Sequence, residues 1–397
     1  MYATRLLSMY RKDPTFLSRP PPEFLYSGYL VVTDEESEAE DVWFWGLLKA
    51  TRIKDLPFPQ NKVFNFTYTT TSRGGANGTS HTTSHSNKVW LVPVLGLPLS
   101  SNRYYAICAE EKHQGQAWTC STEEDMGTCC FCTYINDAKP KDFDHRNIYQ
   151  QVEISKQRGR DFIVKSVVPD GFPPYFLRRR GSSVHSSKKY NCQLGRADGL
   201  DVSLRKRLPD FNFPLSNKCS ATVIVGKWYC PFVFVREEGR LKDLMKKTLF
   251  YEMTLEQRWE GIYRRDNEEK SKDNHIKVMD LKLLKEEVSL YGVNAMKMDE
   301  TNGMIWYKQV RPNGEGLRLG LSSVIVEKMK LIQENGGWNA GGKDAIVNKV
   351  EEFKGENGWK RFGCFVLVER FALRSLDGNL MLTCDFKHIN QIQSRWE

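Results

Sequence analysis

Phe362-Gly-Cys-Phe-Val-Leu-Val368 and Leu380-Met-Leu-Thr-Cys-Asp-Phe386 flank Asp377-Gly378 near the end of the chain. Asp-Gly between two apolar runs is a strong hairpin signal, because the tight hairpin turn needs positive φ at residues that tolerate it. The first run is apolar at odd and even positions alike, so both of its faces are buried and it sits centrally in a sheet.

Working outward, 221–225, 228–235, 275–291 and 304–310 are also expected as strands. Leu241, Leu244, Met245 and Leu249 mark one face of a helix expected to run to Met253. Thr254 and Gln257 resemble a capping box for a second helix, with Leu255, Trp259, Ile262 and Tyr263 at i, i+4, i+7 and i+8. Leu321, Ile325, Met329 and Ile332 mark a further helix that stops at Gly336-Gly337.

In the first half, Arg19-Pro-Pro-Pro-Glu23 predicts an extended arm and 29–33 a strand. An acidic stretch at 34–41 and a short buried segment at 42–48 follow. Positions 63–69 alternate as a strand, and the Ser/Thr/Gly/Asn/His-rich 70–87 is expected as a mobile polar loop, His81 and His85 included. Segments 90–95 and 103–108 pair as a hairpin, and 147–154 and 162–168 are further strands. Strands mostly follow strands, which disfavours a doubly wound parallel sheet. The expected class is α+β, mainly antiparallel sheet with a few helices, in two closely packed halves. These are a β-rich 1–157, a basic connection at 158–218, and an α+β 219–397.

Composition sets the broad class. The chain has 397 residues, 40% hydrophobic and 27% charged, as soluble globular proteins have. Aromatic residues at 12%, ten Trp among them, supply material for a core. The longest apolar stretch, 89–99, is broken by Pro93 and Pro98, and no apolar run near Met1 resembles a signal peptide. These features predict a protein of the cytoplasm or nucleus that is not secreted and keeps its ten cysteines mostly reduced.

The densest chemistry lies in Cys120, Cys129, Cys130 and Cys132. Zinc wants about four ligands in a tetrahedron. Cys120, Cys129 and Cys132 with His113 or His145 can supply them, but paired Cys-x-x-Cys knuckles are missing. A redox pair at Cys129 and Cys130 is the other chemical reading, and buried structural cysteines the bland one. Cys364 or Cys384 with His388 and Asp385 resembles a nucleophile set. On a strand, however, Cys384 and His388 stand too far apart to bond, so a core histidine is favoured. Gly337-Trp-Asn-Ala-Gly-Gly342-Lys343-Asp344 nearly matches a phosphate loop, but Asp replaces the magnesium-binding hydroxyl and a helix precedes it.

From Lys156 to Arg207 the chain holds thirteen Lys/Arg against four Asp, a net +9 equal to that of the whole protein. Arg178, Arg179, Arg180, Lys188, Lys189, Arg205, Lys206 and Arg207 are the candidate anion- or partner-binding residues, set against a merely solvated basic loop. Phe172, Tyr175, Phe176 and Tyr190 interleave with them, a pattern that can hold single-stranded nucleic acid.

Several blocks together resemble one family. They are Met1-Tyr-Ala-Thr-Arg-Leu-Leu-Ser-Met-Tyr-Arg-Lys-Asp-Pro14, Ser27-Gly-Tyr-Leu-Val-Val-Thr-Asp-Glu-Glu-Ser37 and Glu123-Glu-Asp-Met-Gly-Thr-Cys-Cys-Phe-Cys132. Gly171-Phe-Pro-Pro-Tyr-Phe-Leu-Arg-Arg-Arg180, Gly226-Lys-Trp-Tyr-Cys-Pro-Phe-Val-Phe-Val235, Phe250-Tyr-Glu-Met-Thr-Leu-Glu-Gln-Arg-Trp259 and Asp385-Phe-Lys-His-Ile-Asn390 complete the set. The chain is similar to the land-plant family catalogued as domain of unknown function 1262. The resemblance carries over no catalytic residue or cofactor; it implies a plant protein associated with stress or defence responses. The expected function is non-enzymatic binding of protein partners. A thiol-based redox or zinc-dependent protein and a nucleic-acid binder are the alternatives.

Overall fold

A computed structural model describes residues 1–18, 28–40, 42–43, 48–49, 51–73, 80–129, 132–157, 162–179, 181–187, 192–267, 275–312, 314–355 and 358–397. The proline-rich arm, the middle of the 42–48 segment, Cys130, Arg180, Lys188, Lys189 and Tyr190 lie outside the described residues. The chain forms two compact units, 1–198 with 229–250, and 199–228 with 251–397. The basic 158–218 stretch therefore contributes to both. The fold is sheet-dominated and mostly antiparallel with some helices, richer in sheet than a balanced α+β protein.

The first unit is built on a six-stranded antiparallel sheet. Its order is Phe162–Ser166, Gln151–Lys156, Arg103–Cys108, Ser80–Pro93, Val63–Arg73 and Ser183–Ser187. Phe64, Phe66, Val89, Leu91, Tyr104 and Val152 belong to its buried core. Trp90 is fully buried, donates its indole N–H to the Gln60 carbonyl at 2.8 Å and stacks on Phe232 at 5.5 Å. The described parts of the polar 70–87 stretch, 70–73 and 80–87, are strands and not the loop their composition predicts. Thr70 pairs with Thr83 and Thr71 with Thr82 in the ladder between Val63–Arg73 and Ser80–Pro93. Threonine is β-branched and suits a strand even when the strand is polar and exposed.

The second unit carries long strands. Arg361–Ser375 lies between Phe250–Asp266 and Leu380–Trp396, antiparallel to both, in the central place its apolar run predicts. Glu286–Leu290, Val293–Thr301, Met304–Gln309 and Arg318–Ser322 extend the sheet from Leu380–Trp396. The turn after Ser375 uses Gly378 at φ 89°, as Asp-Gly requires.

The second helix expected at 254–263 is corrected by this sheet. Residues 251–266 run as strand, in register with Arg361–Ser375 apart from a bulge between Gly261 and Tyr263. Leu255 and Trp259 fit a two-residue period as well as a helical one, and the neighbouring strand decides between them. Thr254, read as a cap, instead accepts a hydrogen bond from Arg374 Nη1 at 2.8 Å and donates to Glu256 Oε1 at 2.9 Å. Of the two other expected helices, Ser323–Asn335 in the second unit forms and ends at Gly336, whereas the one expected from Leu241 to Met253 stops at Lys247, because Phe250–Met253 already belong to the strand Phe250–Asp266.

Charges inside this unit are held in pairs. On one face of the sheet, buried Glu369 accepts from Arg205 Nε at 2.8 Å and Nη2 at 2.5 Å, and from Gln257 Nε2 at 2.8 Å. Arg205 Nη1 also donates to the Ile332 carbonyl at 2.9 Å, so one guanidinium ties Val202–Arg207 and Ser323–Asn335 to the sheet. Burial alone would raise the Glu369 carboxyl. The hydrogen bonds from His388 and Arg205, with the guanidinium charge, outweigh it and hold the group at about 2. Glycine at 336 leaves room for this arrangement, because a Cβ there would collide with Arg205 Nη2.

Alternation puts the next row, Glu256, Arg370 and Asp385, on the opposite face. Arg370 binds Asp385 through two hydrogen bonds of 2.6 and 2.7 Å, and Arg258 adds a third at 2.8 Å.

Glu369→Ala strands a buried guanidinium and is expected to cost about 3–5 kcal/mol of unfolding free energy in urea titrations, with Gly336→Ala costing less. A carboxyl lowered on folding stabilises above its unfolded value, about 4.3, and loses that contribution as pH falls toward its folded value. Stability of the native chain should therefore fall between about pH 5 and pH 2 by an amount that Glu369→Gln removes. An unchanged acid dependence in that variant would contradict the pairing.

Candidate functional site

The structure separates most of the sequence candidates that lie among the described residues, while Cys130 lies outside them. Cys120 lies in the buried core of the first unit, 3% exposed, where burial pushes its thiol up despite the Ser166 hydrogen bond and nearby Arg178. His113 is engaged by Gln116, Nδ1 to Oε1 at 2.7 Å, and the His145 carbonyl accepts from Tyr105 Oη at 2.9 Å. Cys129 and Cys132 are exposed and directly opposite each other on a two-stranded ribbon, Met126–Cys129 with Cys132–Ile135. Among the described residues, no three His, Cys, Asp or Glu side chains gather as a metal ion needs. The four-ligand set read from the sequence is thus reduced to one pair.

The ribbon has a defined base. Thr122 and Asp125 cap the turn that starts it, with the Thr122 N–H donating to Asp125 Oδ2 at 2.9 Å. Ser121 Oγ donates to the Asn136 carbonyl and accepts from the Ala138 N–H, both at 2.8 Å. Tyr134 folds over Gly127, where an added Cβ would meet the ring at 2.6 Å. Packing of this kind helps fix the register of a short ribbon.

Two of the candidate arginines meet the ribbon's base or lie beside it. Arg178 Nη1 donates to Asp137 Oδ1 at 2.9 Å and to the Pro173 carbonyl at 2.6 Å, and Nη2 reaches the Ile135 carbonyl at 3.4 Å. It is a staple between the Tyr175–Arg178 turn and the end of the ribbon. Arg179 behaves differently. Its guanidinium lies 5.4 Å from the Tyr68 ring centre and 5.3 Å from that of Tyr175, and it bonds the Tyr175 hydroxyl and the Thr69 carbonyl. Tyr68 stacks on His85 at 4.9 Å and meets Tyr175 edge-on at 5.6 Å, while Tyr175 stays 38% exposed. The result is a half-open patch of rings around Arg179, with Arg178 also 5.5 Å from the Tyr175 ring centre.

The remaining basic candidates divide. Arg205 is 9% exposed and committed to Glu369 and Ile332, so the partner-facing role expected for it does not match its position. Lys206 and Arg207, on the same short helix, are exposed. Arg180, Lys188 and Lys189 lie outside the described residues.

The nucleophile set comes apart as strand geometry dictates. Cys384 and His388 share a face of Leu380–Trp396, paired with Phe371 and Leu367. Burial pushes the Cys384 thiol far up, and buried His388 bonds Gln333 Oε1 at 3.0 Å instead. Asp385 points to the other face, against Arg258 and Arg370. In the phosphate-loop look-alike, Lys285 Nζ caps the Gly341 carbonyl and a helix precedes the turn.

Two features escaped the sequence reading. Tyr68 joins Arg179 and Tyr175 across more than a hundred residues, with no local signal beyond a tyrosine in a polar strand. A cavity of about 530 Å³ in the first unit is lined by Tyr10, Arg11, Arg52, Lys54, Asp55 and Lys62, among others. Its rim charges are partly paired, Arg11 with Glu40 and Lys62 with Glu38 at 3.9 Å.

Comparison with known proteins finds a family-model match over part of the chain. The family model described as "Protein of unknown function (DUF1262)" matches residues 23–131. No curated protein matches. A solved structure described as the crystal structure of Cry35Ab1 aligns at 13% identity and a TM-score of 0.45, covering 85% of this chain and 90% of that one.

Arg178→Ala should lower the stability of the first unit by about 1–2 kcal/mol in thermal or urea unfolding, through loss of a charge-assisted bond and two carbonyl bonds. Arg178→Lys should rescue little, since one ammonium cannot reproduce the planar fork. Equal stability of the Lys variant and the native chain would contradict the staple.

Proposed function

We propose that this is a non-enzymatic binding protein whose partner surface is the cluster of Arg179, Tyr68 and Tyr175, and whose partner offers an acidic polypeptide segment. The observation that carries this reading is the Arg179 guanidinium held against two tyrosine rings at 5.4 and 5.3 Å on a half-open surface. Stacking fixes the planar fork before a partner arrives, so less side-chain entropy is lost on binding. Tyrosine and arginine are also the side chains in which interface binding energy concentrates. A carboxylate meeting the guanidinium edge would gain a charge-assisted hydrogen bond.

A polypeptide suits the site better than a nucleic acid. Arg178 is already neutralised by Asp137 at 2.9 Å, so the described patch lacks the row of cations that follows a phosphate backbone. The commitment of Cys384, His388 and Asp385 to separate internal partners supports a non-enzymatic role. A place in plant stress or defence responses, in the cytoplasm or nucleus, is part of this proposal and rests on the family resemblance.

Immobilised poly-glutamate and a single-stranded oligonucleotide are suitable probes. Retention on poly-glutamate is expected to weaken as salt rises and to fall several-fold in Arg179→Ala and Tyr175→Ala, with thermal unfolding little changed. Undiminished retention in both variants would contradict the reading. Stronger, Arg179-dependent retention on the oligonucleotide would replace the polypeptide partner with a nucleic acid.

A further inference from the structure

We propose that Cys129 and Cys132 form a dithiol that closes reversibly into an intramolecular disulfide by exchange with a low-molecular-weight disulfide. The inference is independent of the partner surface proposed above and rests on three observations. The first is register: the two residues are direct partners at the end of the ribbon. Opposed residues in an antiparallel ladder have Cα atoms about 4.5–5.5 Å apart, inside the roughly 4.4–6.8 Å that a disulfide spans.

The second is access. Of the described cysteines, Cys129 and Cys132 alone are exposed. Cys108, Cys192 and Cys364 are each pushed up to about 11 by burial, and Cys384 further still. The thiolate is the attacking species, so buried thiols of that kind exchange slowly. Among the described cysteines, exposure therefore favours the ribbon pair.

The third is mechanical. A lone two-stranded ribbon is marginally stable by itself. This one is anchored at its base by Ser121, Asp125 and Arg178, leaving its far end for a covalent bond to lock.

The chemistry balances in two exchanges. The thiolate of one cysteine attacks a sulfur of the small disulfide, forming a mixed disulfide and releasing one small thiol. The second cysteine, as thiolate, then attacks the protein sulfur of that mixed disulfide, forming the Cys129–Cys132 bond and releasing the second small thiol. Two electrons pass from the protein sulfurs to the small disulfide, and the two thiol protons leave on the two released thiols.

The test uses the full chain, equilibrated natively with glutathione disulfide, acid-quenched, alkylated and analysed by intact and peptide mass spectrometry. The expected product has lost two hydrogens, carries no glutathione, and yields a peptide linked between 129 and 132. Cys130→Ser should give the same bond. Cys132→Ser should instead retain one glutathione on Cys129, with far-ultraviolet circular dichroism like that of the native chain. A bond mapped to Cys130, a native chain that keeps glutathione on both thiols, or full protection of both cysteines from exchange and alkylation would overturn the proposal.

Discussion

A charge removed from water must meet its opposite or the fold pays several kcal/mol, and this constraint organises the second unit. Glu369 sits 1% exposed on the central strand and is tolerable there because Arg205, 164 residues earlier in the chain, reaches it with a bidentate guanidinium. The same guanidinium takes the Ile332 carbonyl, so satisfying one carboxylate also fixes two helices against the sheet. On the other face Asp385 is held between Arg370 and Arg258. Long strands in register bring these partners opposite one another, and the pairs in turn oppose any slip of register.

That pairing decides what the chemistry-bearing residues can do. His388, Cys384 and Asp385 lie within five positions of one another, yet alternation and burial send them to different partners. The arginines of the basic stretch divide similarly. Arg205 is a structural counter-charge and Arg178 a staple, while Arg179 lies on two exposed or half-buried rings without a carboxylate partner in the described contacts. The proposed binding uses a group that no carboxylate has absorbed in the described contacts.

Much of the architecture is legible in the sequence, and its failures have physical causes. Asp377-Gly378 and the two-faced apolar run before it locate the central hairpin, since turn chemistry and burial are local properties. Residues 254–263 mislead because Leu255 and Trp259 satisfy both periods, and the decision belongs to a strand more than a hundred residues away. Residues 70–87 mislead because polar composition resembles a loop, whereas Thr–Thr pairing across the ladder makes strands of much of it. At the candidate site, the cysteines and arginines stand out in the sequence by density. Which of them point outward does not, because Cys120 joins the core and Arg205 finds Glu369 only through the tertiary fold.

The ribbon of Cys129 and Cys132 and the Arg179 patch belong to the same unit and share a support in Tyr175–Arg178, whose Arg178 bonds Asp137 and the Ile135 carbonyl. The central claim is that binding occurs at the stacked arginine and not at basic charge in general. Hydrogen–deuterium exchange of the full chain, with and without an acidic polypeptide, tests it most directly. The expected result is new protection in peptides spanning 66–70 and 175–179, with 202–207 unchanged. Protection at 202–207 alone, with the other two segments exchanging as in the free protein, would contradict it.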